Sequence, residues 1–416
     1  MAETRAPDVV APPPGHPRFP LLDSLRAIAA LAVLASHVGF VSGASQKSSW
    51  GSLVANGIAG VTVFFVLSGF LLYRPFLAAE LDGARPIKLR DYARRRLLRI
   101  LPAYWLALTV IGAWLHLHGV YTPDFWRYYL LLQVYSTHTV AGGIVPAWTL
   151  CVELSFYLLL PLYAVGVAWL LRRAPSRSAR LKLELGVLAL LAAISVALKY
   201  LTLTGRFPDL YSTLPPNFAW FAVGMALAIV SVGPVGQSLG RAISGRAGLC
   251  WLAAGVTYVV LAIALHTDPH KPLFYSNAQW MTQYVLSALV AFALVSPAVF
   301  GGERGGWPRR LLAWRWLAYL GLISYGIYLW QSGWVEQIGR WTPGWDIPGP
   351  QFLVVLVPTV VLTAACAAIS YHVLERPLMR FKNQRPASAP PAPRGTAAAP
   401  ASARVPVPGS APGSPR

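Results

Sequence analysis

Charge is what this chain has least of. Only 12% of its 416 residues are Asp, Glu, Lys or Arg, about half the share of a soluble domain. Hydrophobic residues make up 56%, and mean hydropathy is +0.51. That balance excludes a soluble enzyme with a single membrane anchor. Cysteine is scarce as well. Its three copies, Cys151, Cys250 and Cys366, all fall inside apolar runs, so neither a disulfide framework nor a Cys-pair metal site is indicated. The phosphate loop GxxxxGK and the zinc motif HExxH are missing, which argues against nucleotide hydrolysis and against that metal mechanism. None of the eight histidines has an Asp five residues later, which argues against glycerolipid acyltransferases of that motif. No metal site is expected. No cleavable leader stands out either: the first apolar run is long and lacks a small-residue cleavage site, so it is expected to remain as a span.

What the chain does have is apolar sequence along almost its whole length. Stretches of about 20 residues, enough to cross a bilayer, occur near 20–41, 53–73, 98–118, 147–171, 182–203, 217–233, 248–266, 280–300, 311–332 and 351–373. Residues 124–137 are short and aromatic and are expected to lie at an interface. The net charge of +20 would fit a nucleic-acid partner only if the basic residues gathered on a solvated domain. They sit instead in patches between apolar runs. With the N-terminus placed in the cytoplasm, the 35 Lys and Arg divide as 28 inside, 6 outside and Arg26 within the membrane. Excess Lys and Arg in short loops marks the cytoplasmic side. The expected fold is therefore all-α: a multi-pass membrane protein of about ten transmembrane helices with both termini cytoplasmic. Residues 1–18 and 383–416, rich in Pro, Ala, Ser and Gly, are expected to be disordered tails, flanking a transmembrane domain over 19–382.

Ionisable groups inside a membrane are costly and are usually functional. In the first span, Arg26 and His37 stand eleven residues apart, three turns plus about 20° at 100° per residue, so they share a helix face. Their separation along the axis is roughly 16 Å. Asp23, one turn before Arg26, can pair with it. Arg26 can also be read as a snorkelling residue, and His37 as a satisfied buried imidazole. Glu153, within the fourth span, can hold a substrate hydroxyl, tune His37 or pair with another helix. Cys151 beside it is read as packing rather than as an acyl carrier. In the run ARRRLLR, the guanidiniums of Arg95, Arg96 and Arg99 suit phosphate recognition, although topology alone also places arginines at such a boundary.

These residues carry a resemblance. LDSLRAIAALAVLASH holds an R-x10-H pair at Arg26 and His37, and FFVLSGFLLYRPF, ARRRLLRILPAYW, PAWTLCVELSFYLLLP, SYGIYLWQ and YHVLERP follow in order. Over about residues 20–382 the chain resembles the acyltransferase-3 family of bacterial membrane proteins, which O-acylate sugars on envelope polysaccharides, glycolipids and secreted metabolites. Two positions depart from the pattern. Gln331 stands where His is common, so a second imidazole role is not carried over, and Cys151 stands where Ser is common. The chain is also expected to lack the periplasmic hydrolase-like domain fused to some relatives, so that any hand-off to one would need a separate protein.

The resemblance implies a function. An acyl group, most simply acetyl, would pass from cytoplasmic acyl-CoA to a carbohydrate or glycolipid hydroxyl at a bacterial cytoplasmic membrane, with no bound cofactor and no nucleic acid partner. Arg74, Arg95, Arg96 and Arg99 would meet the donor phosphates. His37 would act as general base or carry the acyl group transiently, Arg26 would stabilise negative charge or orient the donor, and Glu153 would position His37 or the sugar. Substrate contacts are expected at Asp23, Ser68, Trp148, Tyr157, Tyr325 and Tyr328. The rival reading is a transporter or flippase of a lipid-linked sugar or metabolite. It is weakened by the lack of an internal repeat between the halves and by a basic block that occurs once.

Overall fold

Helices built on Leu, Ala, Val and Phe account for most of the residues that the structure describes, as a bilayer demands of backbone that cannot bond to water. The structure, a computed structural model, describes residues 21–81, 87–117, 119–266, 275–300, 306–342 and 348–380. Both expected tails lie outside them. The main helices are α1 (Leu21–Val41), α2 (Gly60–Leu81), α3 (Leu89–Leu115), α4 (Trp148–Leu170), α5 (Arg177–Leu203), α6 (Leu214–Ser231), α7 (Pro234–Ser244), α8 (Ala247–Ala264), α9 (Asn277–Val299), α10 (Gly306–Leu312), α11 (Arg315–Leu322), α12 (Ser324–Trp341) and α13 (Pro348–Ser370). Among the described residues there is no strand, and nine helices are long and apolar enough to cross a membrane. This is an all-α, multi-pass membrane protein.

The ten apolar stretches map onto those nine helices and one broken unit. Residues 311–332 divide between α11 and α12 at Ile323, and α12 runs on to Trp341 carrying Gln331, Glu336 and Arg340. Those polar residues keep α12 out of the long apolar set despite its 18 residues. The aromatic segment near 124–137 forms only a one-turn helix, Phe125–Tyr129, and a 3-10 turn, Gln133–Tyr135, too short to span.

Close approach of backbones organises the packing, as is usual where lipid offers no hydrophobic drive between helices. α2 lies along α6 through two glycines. A Cβ on Gly69 would sit 2.2 Å from the Phe221 carbonyl oxygen, and one on Gly224 would sit 1.9 Å from that of Val66. Beside this crossing Phe65, Phe221 and Phe156 stack, with centroids 4.5 and 4.1 Å apart. Helix ends are closed by side chains. Ser276 and Gln279 form a capping box on α9. The other end of α9 is held by Arg309, a fully buried guanidinium that donates to the Pro297 and Phe300 carbonyls at 2.9 and 2.7 Å. Outward faces stay apolar: Leu158, Leu162, Val165 and Trp169 of α4 are 64–67% exposed, which is the surface a lipid chain requires.

Candidate active site

Five helices surround one cavity, and each gives it a single face. α2 contributes the stripe Val61–Phe64–Phe65–Ser68–Leu71–Leu72. α3 contributes Arg96, Arg99 and Ile100, α4 contributes Thr149, Leu150, Glu153 and Tyr157, and α12 contributes Ser324, Tyr325 and Tyr328. α1 contributes Arg26. The i, i+3, i+4 and i+7 spacings show that one stripe per helix is turned inward. The space amounts to about 740 Å³ with its open mouth included.

The polar groups form two linked sets. Glu153 Oε1 accepts from Ser68 Oγ at 2.5 Å and from Tyr157 Oη at 2.6 Å, so a serine from α2 fixes a carboxylate on α4. The guanidiniums make up the other set. Arg26 sits within electrostatic reach of Arg99, Glu153 and Tyr157 and pairs with Asp23 at 3.3 Å. Arg96 lies 5.8 Å from the centre of the Tyr157 ring, and its Nε is buried without a partner. Three cations and one carboxylate line the cavity, a formal excess of two positive charges. Such a cavity favours an anion, and the unpaired Nε gives it a donor to use. Tyr325 Oη donates to the Ile100 carbonyl at 2.8 Å, and Tyr328 Oη to the Pro146 carbonyl at 2.8 Å, while Thr149 Oγ1 lies 2.7 Å from the Tyr328 hydroxyl. Both rings are thereby fixed as walls.

Of the residues singled out in the sequence, Arg26, Ser68, Arg96, Arg99, Glu153, Tyr157, Tyr325 and Tyr328 line this cavity together. Asp23, Arg74, Arg95, Trp148 and His37 do not. Asp23 reaches the cavity only through its pairing with Arg26, and Trp148 packs edge-on to Phe65 at 6.5 Å. Arg74 donates to Ser231 Oγ at 3.2 Å, at the last turn of α6. Arg95 is one residue, hence about 100°, away from the inward stripe. His37 is not among the lining residues and lies beside the side chain of Gln331, while the rings of Phe64 and Tyr328 meet edge-on at 6.0 Å in the cavity wall. Cys151 is buried outside the cavity and donates to the Ala147 carbonyl at 3.4 Å.

Nine of the 17 lining positions were not singled out in the sequence, Thr149, Ser324 and Phe64 among them. Thr149 and Ser324 lie inside the motifs already noted, next to residues that were chosen, and Phe64 opens FFVLSGF. The spacing from Ser68 back to Phe64 and from Glu153 back to Thr149 was available as a signal. Among the described residues no cluster of three or more His, Cys, Asp or Glu is placed to hold a metal ion.

Comparison with known proteins follows the same residues. Residues 19–371 match the profile of an acyltransferase domain. The chain is 28% identical over 380 residues to YrhL of Bacillus subtilis, a candidate peptidoglycan O-acetyltransferase, in an alignment covering 87% of this chain and 55% of YrhL. It is 25% identical over 384 residues to the peptidoglycan O-acetyltransferase OatA of Listeria monocytogenes, covering 87% and 56%. With the O-acetyltransferase OatA of Staphylococcus aureus the identity is 23% over 386 residues, covering 88% and 58%. The chain thus spans little more than half the length of these relatives. No solved structure matches it.

Proposed function

From the premise that the chain belongs to the acyltransferase family matched over residues 19–371, we propose that it is a membrane O-acyltransferase. It moves an acyl group, acetyl in the simplest case, from cytoplasmic acyl-CoA to a hydroxyl of a carbohydrate or glycoconjugate. The names of the relatives make a peptidoglycan sugar the first acceptor to test. A bacterial cytoplasmic membrane is the setting, since acyl-CoA is cytoplasmic and the acceptor belongs to the envelope. The observation that carries this reading is the cavity's excess of guanidinium over carboxylate, with Arg96 and Arg99 on the arginine-rich end of α3 and Arg26 facing them.

Transfer from a thioester to a hydroxyl needs a base, a stabilised oxyanion and two substrates held in line. Arg96 and Arg99 grip the donor's phosphates. The pantetheine arm then runs along the α1 face from Arg26 toward His37. His37 takes the proton as the hydroxyl oxygen attacks the carbonyl carbon. Arg26, facing Arg99, orients the donor where the arm begins, and Glu153, fixed by Ser68 and Tyr157, orients the arm or the sugar. When the C–S bond breaks, the departing thiolate recovers the proton from the imidazolium. An imidazole suits both steps because its pKa lies near operating pH.

The test is acceptor-dependent consumption of the thioester. Purified protein in detergent or nanodiscs, given labelled acetyl-CoA and peptidoglycan fragments, should release CoA and label the glycan together. Transport of a lipid-linked sugar with no loss of thioester would replace this reading with the transporter one.

A further inference from the structure

Gln331 occupies the turn of α12 that follows Tyr328, on the stripe Ser324–Tyr328–Gln331, whose first two members line the cavity. Its side chain is wholly buried. The amide Nε2 donates to the Tyr328 carbonyl at 3.3 Å, which fixes the sense of the amide and turns Oε1 away from that carbonyl. Oε1 is buried without a partner at full hydrogen-bond distance, and the His37 ring is the group that the side chain meets. A buried acceptor left unmade is costly, and hydrogen bonds at a catalytic centre often tighten only once substrate is bound.

We propose that Gln331 is the positioning residue for His37: its Oε1 accepts from one ring nitrogen and leaves the lone pair of the other as the base presented to the acceptor hydroxyl. An amide oxygen can only accept, so the nitrogen that faces it must carry the proton, and the tautomer is set without a carboxylate. This rests on the reading of His37 as general base. In the step itself the acceptor O–H proton moves to the free nitrogen, the C–O bond forms, the C–S bond breaks, and the thiolate takes the proton away. Gln331 keeps its own bond throughout and is neither acylated nor ionised. The mate of Arg26 on the α1 face thus gains a partner on α12, two turns past Ser324.

The experiment compares Gln331→Leu, Gln331→Met, Gln331→Glu and His37→Ala in the full chain, with acetyl-CoA and a peptidoglycan-derived acceptor, after size-exclusion and thermal-unfolding checks. Gln331→Leu and Gln331→Met should lower kcat by roughly 100-fold, the order seen when a catalytic imidazole loses the group that sets its tautomer or orientation, with the KM for acetyl-CoA unchanged. Gln331→Glu keeps an acceptor oxygen and should recover most of that loss. Near-normal kcat in both apolar variants, or an equal loss in all three Gln331 variants, would overturn the proposal in favour of a packing role. Should the leucine variant fail to fold, the methionine and glutamate pair still decides between the two roles. His37→Ala separates this from the underlying reading: an inactive His37→Ala beside a fully active Gln331→Met sinks the positioning role alone, whereas an active His37→Ala sinks both.

Discussion

Replacing Arg96 or Arg99 with Gln removes a guanidinium from the cavity while leaving the neighbouring helix turns intact. A hydrogen bond to a charged group contributes about 1.5–3 kcal/mol. Both side chains are half-buried rather than sealed, so solvent and salt weaken the interaction and the lower end of that range applies. At 1.4 kcal/mol per factor of ten, each single variant should raise the KM for acetyl-CoA about tenfold. The double variant should fall short of 100-fold, because two groups one turn apart grip the same anion and are not independent. Turnover at saturating donor should hold, since binding shared by the ground and transition states moves KM and spares kcat. Arg95→Gln is the internal control. It is adjacent in sequence, equally basic, equally half-buried and off the inward stripe, so its donor KM should stay within about twofold, the reach of a substitution that removes no contact to the donor. The assay is CoA release against acetyl-CoA concentration in nanodiscs, with isothermal titration of the donor as a check. Equal effects at residues 95, 96 and 99, or none at any of them, would return the arginine run to a topology signal.

Three further outcomes follow from the packing. Ser68→Ala and Tyr157→Phe each remove one donor from the same Glu153 oxygen and should each lower kcat about tenfold, the double variant costing clearly less than the product of the two. Arg309→Leu leaves the buried carbonyls at the end of α9 unpaired, at about 1–3 kcal/mol each; the thermal unfolding midpoint in detergent should fall while turnover per folded molecule at low temperature is retained, and an unchanged midpoint would show that α9 closes without it. Gly224→Ala drives a methyl group into the Val66 carbonyl oxygen and should prevent α2 and α6 from meeting, seen as lost monodisperse protein, whereas Gly255→Ala, with nothing within 4 Å, should behave as wild type.

Most of the helices were legible in the sequence because a bilayer imposes one simple rule, a run of about 20 apolar residues. The exception is instructive. Residues 311–332 read as one stretch, yet the chain breaks at Ile323 and continues as a more polar helix to Trp341. The break is tertiary in origin: Gly321 packs against the backbone of Asp23, where a Cβ would come within 1.8 Å of its carbonyl oxygen, and hydropathy does not register such a contact. The site was legible where charge and membrane burial coincide, at Arg26 and Glu153, and at Ser68, Tyr157, Tyr325 and Tyr328 through their motifs. Charge alone did not separate Arg96 and Arg99 from Arg95 and Arg74. What separates them is rotation about the helix axis, 100° per residue, and the apolar face of α3 at Tyr92, Ile100, Ala103 and Ala107 already marks the inward side. Arg309 read as one more loop cation; nothing local to it shows that α9 ends on top of it.

The measurement closest to the heart of the account is single-turnover transfer by His37→Ala. Reconstituted protein, shown to insert and to bind acetyl-CoA with wild-type affinity, is mixed with labelled donor and a glycan acceptor, and the labelled ester is followed in time. The account predicts donor binding intact and ester formation lost by at least two orders of magnitude, the scale of a missing general base. Ester formed at close to the wild-type rate would mean that the imidazole three turns above Arg26 takes no part in the chemistry.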